Sequence, residues 1–197
     1  MNSEQATAQV VRLLEEIGIQ YMLVGAISSN AYGIARATND ADIVAAFDAA
    51  GLAQLVRRLG PEFRLDRQMQ IETITGSIRN VLTFVPTNFD IELFRLNADE
   101  HHQQRFARRR RQWISELQRD AWIPTAEDVV IQKLRWARRK DLDDVQNVIA
   151  VSGQRFDWDY INEWTTRHGT HELLNEIRAS IPDTEFLDEQ DREMMED

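Results

Sequence analysis

Asp40 and Asp42 stand two apart in Asn39-Asp-Ala-Asp-Ile43, at the start of an apolar run. On a strand, residues i and i+2 share a face, so both carboxylates project together while Ala41 and Ile43 face the other way. Two like charges about 7 Å apart repel unless something positive sits between them. A hard divalent cation that prefers oxygen ligands, magnesium or alternatively manganese, answers that repulsion. Phe89-Asp-Ile-Glu-Leu-Phe94 offers a further carboxylate. Phe89, Ile91 and Leu93 share one face and Asp90 and Glu92 the other. If this segment lies beside 41–47, Asp90 completes a three-carboxylate cluster, with Glu92 its rival on the same face. Such a cluster can hold two metals about 4 Å apart, one activating a hydroxyl and one neutralising phosphates.

Upstream, Val24-Gly25-Ala26-Ile27-Ser28-Ser29 reads as a strand end, a tight turn and a helix start. Backbone N–H groups and the helix dipole make such a turn an anion site. Gly25 has no side chain, so a phosphate can approach the backbone closely. A phosphate cradle and a carboxylate pair so near in sequence point to a nucleoside triphosphate.

The elements that must position these residues are legible from periodicity. Residues 4–17 carry Ala8, Val11, Leu14 and Ile17 at helical spacing. Strands are expected at 21–24 and 41–47, and a short helix at 27–32. A helix at 49–59 ends at Gly60-Pro61. Residues 64–73 stay ambiguous. A strand pair spans 78–85 and 88–94. A very polar helix is expected over 98–117, then helices at 126–139, 141–151, 157–168 and 171–180. Strands cluster in the front half, which predicts an α+β fold: a mixed sheet flanked by helices, with a helical C-terminal annex. The expected division is a catalytic core at 1–97, a helical region at 98–181 and an acidic, flexible tail at 182–197.

The stretch Val24-Gly25-Ala26…Tyr32-Gly33…Arg36-Ala-Thr38-Asn-Asp40-Ala-Asp42-Ile43 resembles the signature of the polymerase-beta-like nucleotidyltransferase superfamily. Within it, the chain looks like the bacterial minimal nucleotidyltransferases and the nucleotidyltransferase toxins of type IV (AbiEii-like) toxin–antitoxin systems. The likeness covers 1–95 and, more loosely, 123–150. It implies that Asp40, Asp42 and Asp90 hold metal, and that Asp90 orients or deprotonates the acceptor. Gly25, Ala26, Ser28, Arg36 and Thr38 would bind nucleotide. The superfamily usually has glycine or serine where this chain has Ala26, which leaves only backbone contacts to phosphate there. Pro124-Thr125-Ala-Glu127-Asp128…Lys133-Leu134 and Asp141-Leu-Asp-Asp144 resemble the toxin group's "lysine-leucine … aspartate-leucine-x-aspartate" pattern. That implies Lys133 at the nucleotide phosphate, positioned by Asp141 or Asp144.

Other residues carry blander alternatives. Thr125 can cap a helix with Asp128 at its third position. Lys133 falls on or beside the apolar face of that helix, where snorkelling to solvent is the alternative reading. Asp141 and Asp144 could equally pair with Arg138 or Arg139 at the surface. Arg105, Arg108, Arg109, Arg110 and Arg111 read as a solvated helix face. With Arg135, Arg138, Arg139 and Lys140 they could instead form a basic rim for triphosphate or RNA. His101, His102, His168 and His171 make no recognisable metal set, and the last two read as surface residues. The five tryptophans read as packing residues of the helical half.

The net charge is −10. Residues 183–197 hold eight acids and one arginine, a net of −7, so the remainder carries −10 − (−7) = −3. The overall balance therefore says little about partners of the folded body. There is no cysteine, which excludes disulfides and thiolate metal sites. No signal peptide or membrane span is visible, so a cytoplasmic protein without a membrane partner is expected. The expected activity is metal-dependent transfer of a nucleoside monophosphate from an NTP to a hydroxyl of tRNA, other RNA or protein, with an antitoxin as a candidate partner. The rival readings are a non-catalytic binding or antitoxin module of the same fold, and a phosphodiesterase using the same carboxylates.

Overall fold

The computed structural model describes residues 1–66 and 68–182. The acidic segment from 183 onward lies outside the described residues. Helix α1, Ser3–Glu16, starts at a capping box between Asn2 and Gln5 and buries Ala6, Val10, Val11, Leu13 and Leu14. Strand β1 is Tyr21–Val24, and α2, Gly25–Asn30, follows with no intervening loop. Strand β2 is Asp40–Ala45, and α3, Ala49–Leu59, is capped by Asp48. The ambiguous stretch resolves into two short strands, β3 at Phe63–Leu65 and β4 at Gln70–Ile71. Strands β5, Ile78–Phe84, and β6, Phe89–Arg95, form the expected pair.

The sheet runs β1-β2-β6-β5-β3, with β4 also paired to β5. Among the described residues only the β2–β6 pair is parallel, and its register sets Asp40 opposite Asp90 and Asp42 opposite Glu92. Ala41, Ile43, Ile91 and Leu93 all point to the opposite, buried face. This is the expected mixed sheet flanked by helices.

The expected polar helix over 98–117 is a correction. Helix α4, Glu100–Arg108, stops early, and β7, Arg110–Ile114, pairs antiparallel with β8, Arg119–Ile123. Tertiary packing decides this. Ile114, Leu117, Ala121 and Ile123 are buried in the same core as the sheet, while the arginine-rich stretch shows no apolar period of its own. Arg105 is not on a solvated face either: it is buried within α4. Arg108 stacks over Tyr160 and Arg109 over Phe106, which leaves Arg110 and Arg111 exposed. Of the tryptophans, Trp164 is buried in the helical half, Trp122 packs on the sheet core and Trp113 is largely exposed.

Four further helices follow among the described residues: α5, Ala126–Trp136, α6, Arg139–Ser152, α7, Trp158–His168, and α8, His171–Ser180. They enclose a second core around Val130, Leu134, Val148, Ile161 and Leu174. Tyr32 packs against both cores. Its hydroxyl donates to the Pro124 carbonyl at 2.8 Å, and its own carbonyl accepts from Ser152 Oγ at 2.7 Å. Gly33 lies against α6 so closely that a Cβ would stand 3.0 Å from the Val148 nitrogen. Among the described residues no helix is long and apolar enough to cross a membrane.

A polar junction joins α4, α5 and α7. Thr125 caps α5 as expected, donating to Asp128 Oδ2 at 2.9 Å and accepting from the Asp128 N–H. The fully buried Asp128 also accepts from Tyr160 at 2.7 Å and faces His101 Nε2 at 3.3 Å. His168 is likewise not a surface residue. Its ring lies 5.2 Å from that of His101 and 5.4 Å from that of Trp164. Burial, with the Arg105 charge next in weight, pushes His102 down to about 3. Burial, helped by Arg135, pushes His168 down to about 4.

These histidines are neutral in the fold and would charge near 6.5 once unfolded, so the unfolded state binds more protons below that pH. Their contribution to stability is complete above pH 6.5 and is lost progressively toward pH 3 to 4. Thermal melts between pH 7 and 5 should therefore show a falling Tm. His102→Leu, which removes a buried ring with no hydrogen-bond partner, should flatten that slope. An unchanged slope would remove His102 from this account.

Candidate active site

Four carboxylates share one face of two neighbouring strands: Asp40 and Asp42 on β2, Asp90 and Glu92 on β6. Three of them are held by neighbouring side chains. Asp40 Oδ1 accepts from Thr38 Oγ1 at 2.7 Å. Asp90 Oδ1 accepts from Thr83 Oγ1 at 2.8 Å, across the β5–β6 pair. Glu92 is taken by Arg79, whose Nη1 reaches both carboxylate oxygens at 2.8 and 2.7 Å. An ion pair thus engages Glu92, while among the described residues Asp90 has no cation partner.

Asp42 lies against the turn at Gly25. That glycine has φ +62°, and a Cβ there would collide with the Asp42 carboxylate. The missing side chain thus makes room for an aspartate. Burial, then the charges of Asp40 and Glu92, pushes Asp42 up to about 7, with Lys133 and Lys140 pulling the other way.

The remaining candidates sit on either side of this turn. Ala26 and Ser28 are buried in α2, and the Ser28 hydroxyl donates to the Gly25 carbonyl at 3.0 Å. The first turn of α2 can therefore offer backbone N–H groups, as a helix start must. Lys133 does not snorkel. It is 3% exposed and donates to Asp141 at 3.0 Å and Asp144 at 2.5 Å. Asp144 also receives a two-pronged bond from Arg36 at 2.7 and 2.9 Å. Asp141 receives one from Arg138 at 2.5 Å. Arg36, Asp144, Lys133, Asp141 and Arg138 so alternate in sign along one ladder, two acids against three bases. Burial raises Asp144, but the bonds from Arg36 and Lys133 outweigh it and hold its carboxyl below the usual range. The surface pairing weighed for Asp141 and Asp144 is replaced by a buried one, since both acids are under 4% exposed.

Three contributors were not visible in the sequence. Asn30 clamps the Arg36 peptide, donating to its carbonyl at 2.9 Å and accepting its N–H at 3.1 Å. Thr83 and Arg79 hold Asp90 and Glu92. Strand pairing alone brings those two to the site, so no local signal could have named them.

Two open spaces flank the carboxylates. One, of about 750 Å³, is lined by Arg64, Gln70, Arg79, Thr83, Asp90 and Glu92. The other, of about 430 Å³, reaches Asp40 beside Glu4, Asn30, Arg36, Thr38 and Glu116. Among the described residues no three His, Asp or Glu side chains form a group that could hold a metal ion by itself. Magnesium does not require one: it binds through one or two carboxylates and completes its octahedron with water and substrate phosphate. The donor set, aspartate oxygens on one face, fits that habit.

No family model and no curated protein matches the sequence. Solved structures do. The solution structure of the antibiotic-resistance factor ANT(2'')-Ia aligns with a TM-score of 0.56 at 11% identity, over 91% of this chain and 98% of that one. An antigenic nucleotidyltransferase-like protein from Paracoccidioides brasiliensis aligns at 0.55 and 16% identity, over 93% and 96%. ANT(2'')-Ia in complex with adenylyl-2''-tobramycin aligns at 0.54 and 12% identity, over 86% and 99%. These likenesses define the class: the chain has the nucleotidyltransferase fold.

Two substitutions test the geometry. Gly25→Ala should cost about 1–3 kcal/mol in urea unfolding, because it strains a positive φ and displaces Asp42. Lys133→Met should cost about 3 kcal/mol, because it strips the shared cation from two buried acids. A loss under about 0.5 kcal/mol in either would contradict the packing described.

Proposed function

We propose that this chain is a metal-dependent nucleotidyltransferase, moving a nucleoside monophosphate from an NTP to a hydroxyl acceptor. The observation that carries the reading is the parallel register setting Asp40 opposite Asp90, with Asp42 beside the Gly25 turn. Asp40, Asp42 and Asp90 would hold one or two magnesium ions. Bound there, the metal would supply Lewis-acid neutralisation of phosphate oxygens.

The chain's own residues divide the remaining work. Backbone N–H groups at Gly25 and Ala26 meet phosphate, with the Ser28 hydroxyl bracing the Gly25 carbonyl and Thr38 at the mouth of the site. Asp90, held by Thr83, accepts the proton of the acceptor hydroxyl. The acceptor oxygen forms a bond to the α-phosphorus as the bond to pyrophosphate breaks. Lys133, Arg36 and Lys140 bring positive charge to the side from which pyrophosphate departs, while Asp141 and Asp144 hold Lys133 in place. Most of the acceleration comes from positioning and fixed charge.

The acceptor belongs to one of two classes. A tRNA, other RNA or protein hydroxyl, with an antitoxin partner, is the toxin-like reading, supported by the exposed Arg110, Arg111, Arg139 and Lys140. A small antibiotic is the reading supported by fold neighbours such as the one bound to adenylyl-2''-tobramycin. Glu4 and Glu116 beside Asp40 add negative charge that would welcome a cationic acceptor.

Each labelled NTP with magnesium, offered to tRNA, cell protein and aminoglycosides in turn, should yield one labelled acceptor and free pyrophosphate. Asp42→Ala and Asp90→Asn should each lower the rate at least about a hundredfold. Activity that collapses with rising salt would favour RNA. Nucleotide binding without pyrophosphate release for any acceptor would favour the non-catalytic module. Phosphodiester cleavage without transfer would favour hydrolysis.

A further inference from the structure

A cavity of about 440 Å³ opens on the seam between the two cores, away from the carboxylate face. Neither Asp40, Asp42 nor Asp90 lines it. Its walls come from the turn after α2, the start of β7, the start of α5 and the end of α6. Two guanidinium groups, Arg110 and Arg155, reach it from different elements. Both are exposed, and neither has an ion-pair or hydrogen-bond partner among the described residues. This distinguishes them from Arg36, Arg79, Arg108 and Arg138, each of which has a carboxylate.

The rings of Tyr32 and Phe156 supply flat walls. The Tyr32 hydroxyl is committed to Pro124, so it presents its ring rather than a donor. Burial pushes that phenol up to about 12, so it stays neutral. Glu127 contributes the single acid, pinned where its Oε1 accepts the Asp157 N–H at 3.3 Å. Two free guanidinium groups match a phosphate or diphosphate, which they can grip in forked pairs. Planar walls match a base, and one carboxylate matches the N–H or O–H donors of a base or ribose. The volume lies within the range of small-molecule sites.

We propose that this seam is a second binding site, for a nucleoside phosphate, distinct from the candidate active site and independent of divalent metal. Its position has a consequence. Tyr32 packs on both cores and hydrogen-bonds to both sides of the seam, so an occupant braces the helical annex against the sheet. Lys133, Asp141 and Asp144 belong to that annex, and the ligand thereby stiffens the ladder behind the carboxylates.

The test is amide chemical-shift mapping of the full chain, without divalent metal, titrated with AMP, ADP, GDP and inorganic phosphate. Expected shifts fall at Gly33, Gln112, Val151, Ser152 and Arg155, are larger for the nucleotides than for phosphate, and persist in Asp42→Asn. The double variant Arg110→Ala/Arg155→Ala should weaken binding at least tenfold. Both residues are exposed, so an unchanged amide spectrum establishes that the variant is folded. The proposal is overturned if the shifts are confined to Gly25–Ser29 and Asp40–Asp42, if no nucleotide produces any, or if the double variant binds as tightly as the parent. Loss of transfer activity with these shifts intact would count against the proposed reaction and not against this site.

Discussion

Like charge gathered on one sheet face is the constraint around which the rest of this molecule is arranged. Four carboxylates project from one face of β2 and β6 as two opposed pairs, and such a group is unfavourable unless it is compensated. Glu92 is compensated outright by Arg79. Asp40 and Asp90 are each held by a threonine hydroxyl, which orients a carboxylate without neutralising it. Among the described residues Asp42 has no such partner, and burial first, then the charges of Asp40 and Glu92, raise its pKa.

The helical annex supplies the counterweight. Lys133 reaches the core from the middle of α5, a rare address for a lysine, and is oriented by two acids of α6. Those acids are in turn held by Arg36 from the core and Arg138 from the annex. A buried pair of this kind is weak evidence for stability, because desolvation offsets much of the attraction. Its consequence here is positional. Arg36 belongs to the loop that leads into Asp40, so the bond from Arg36 to Asp144 ties the loop before the carboxylates to the annex.

A second polar junction, around Asp128, does a different job. It fastens α4 to α5 and α7 with neutral histidines, stacked arginines and the Arg108–Asp128 ion pair. The arginine-rich stretch is largely consumed there and in stacking, and that thins the basic surface an RNA would meet.

Much of the front half was legible in the residues alone. The two-residue spacing of Asp40 and Asp42, the alternation in Phe89–Phe94 and the glycine after an apolar strand are local patterns, and local backbone geometry obeys them. Helix ends at Gly60-Pro61 and at Thr125 were equally local. Whether Asp90 or Glu92 joins the pair could not be read, because strand pairing and the Arg79 bond are contacts between distant segments. The same holds for Gly25, whose lack of a side chain is required by an aspartate seventeen residues away in sequence. The β7–β8 ribbon was missed because its polar strands carry no period and are held by burial of Ile114, Leu117, Ala121 and Ile123. Sequence alone determined which residues could do chemistry and which face of each element they occupy, since that follows from the repeat of strand and helix. The tertiary structure decided which carboxylates meet, which are neutralised and where Lys133 points, since those depend on register and packing across the whole chain.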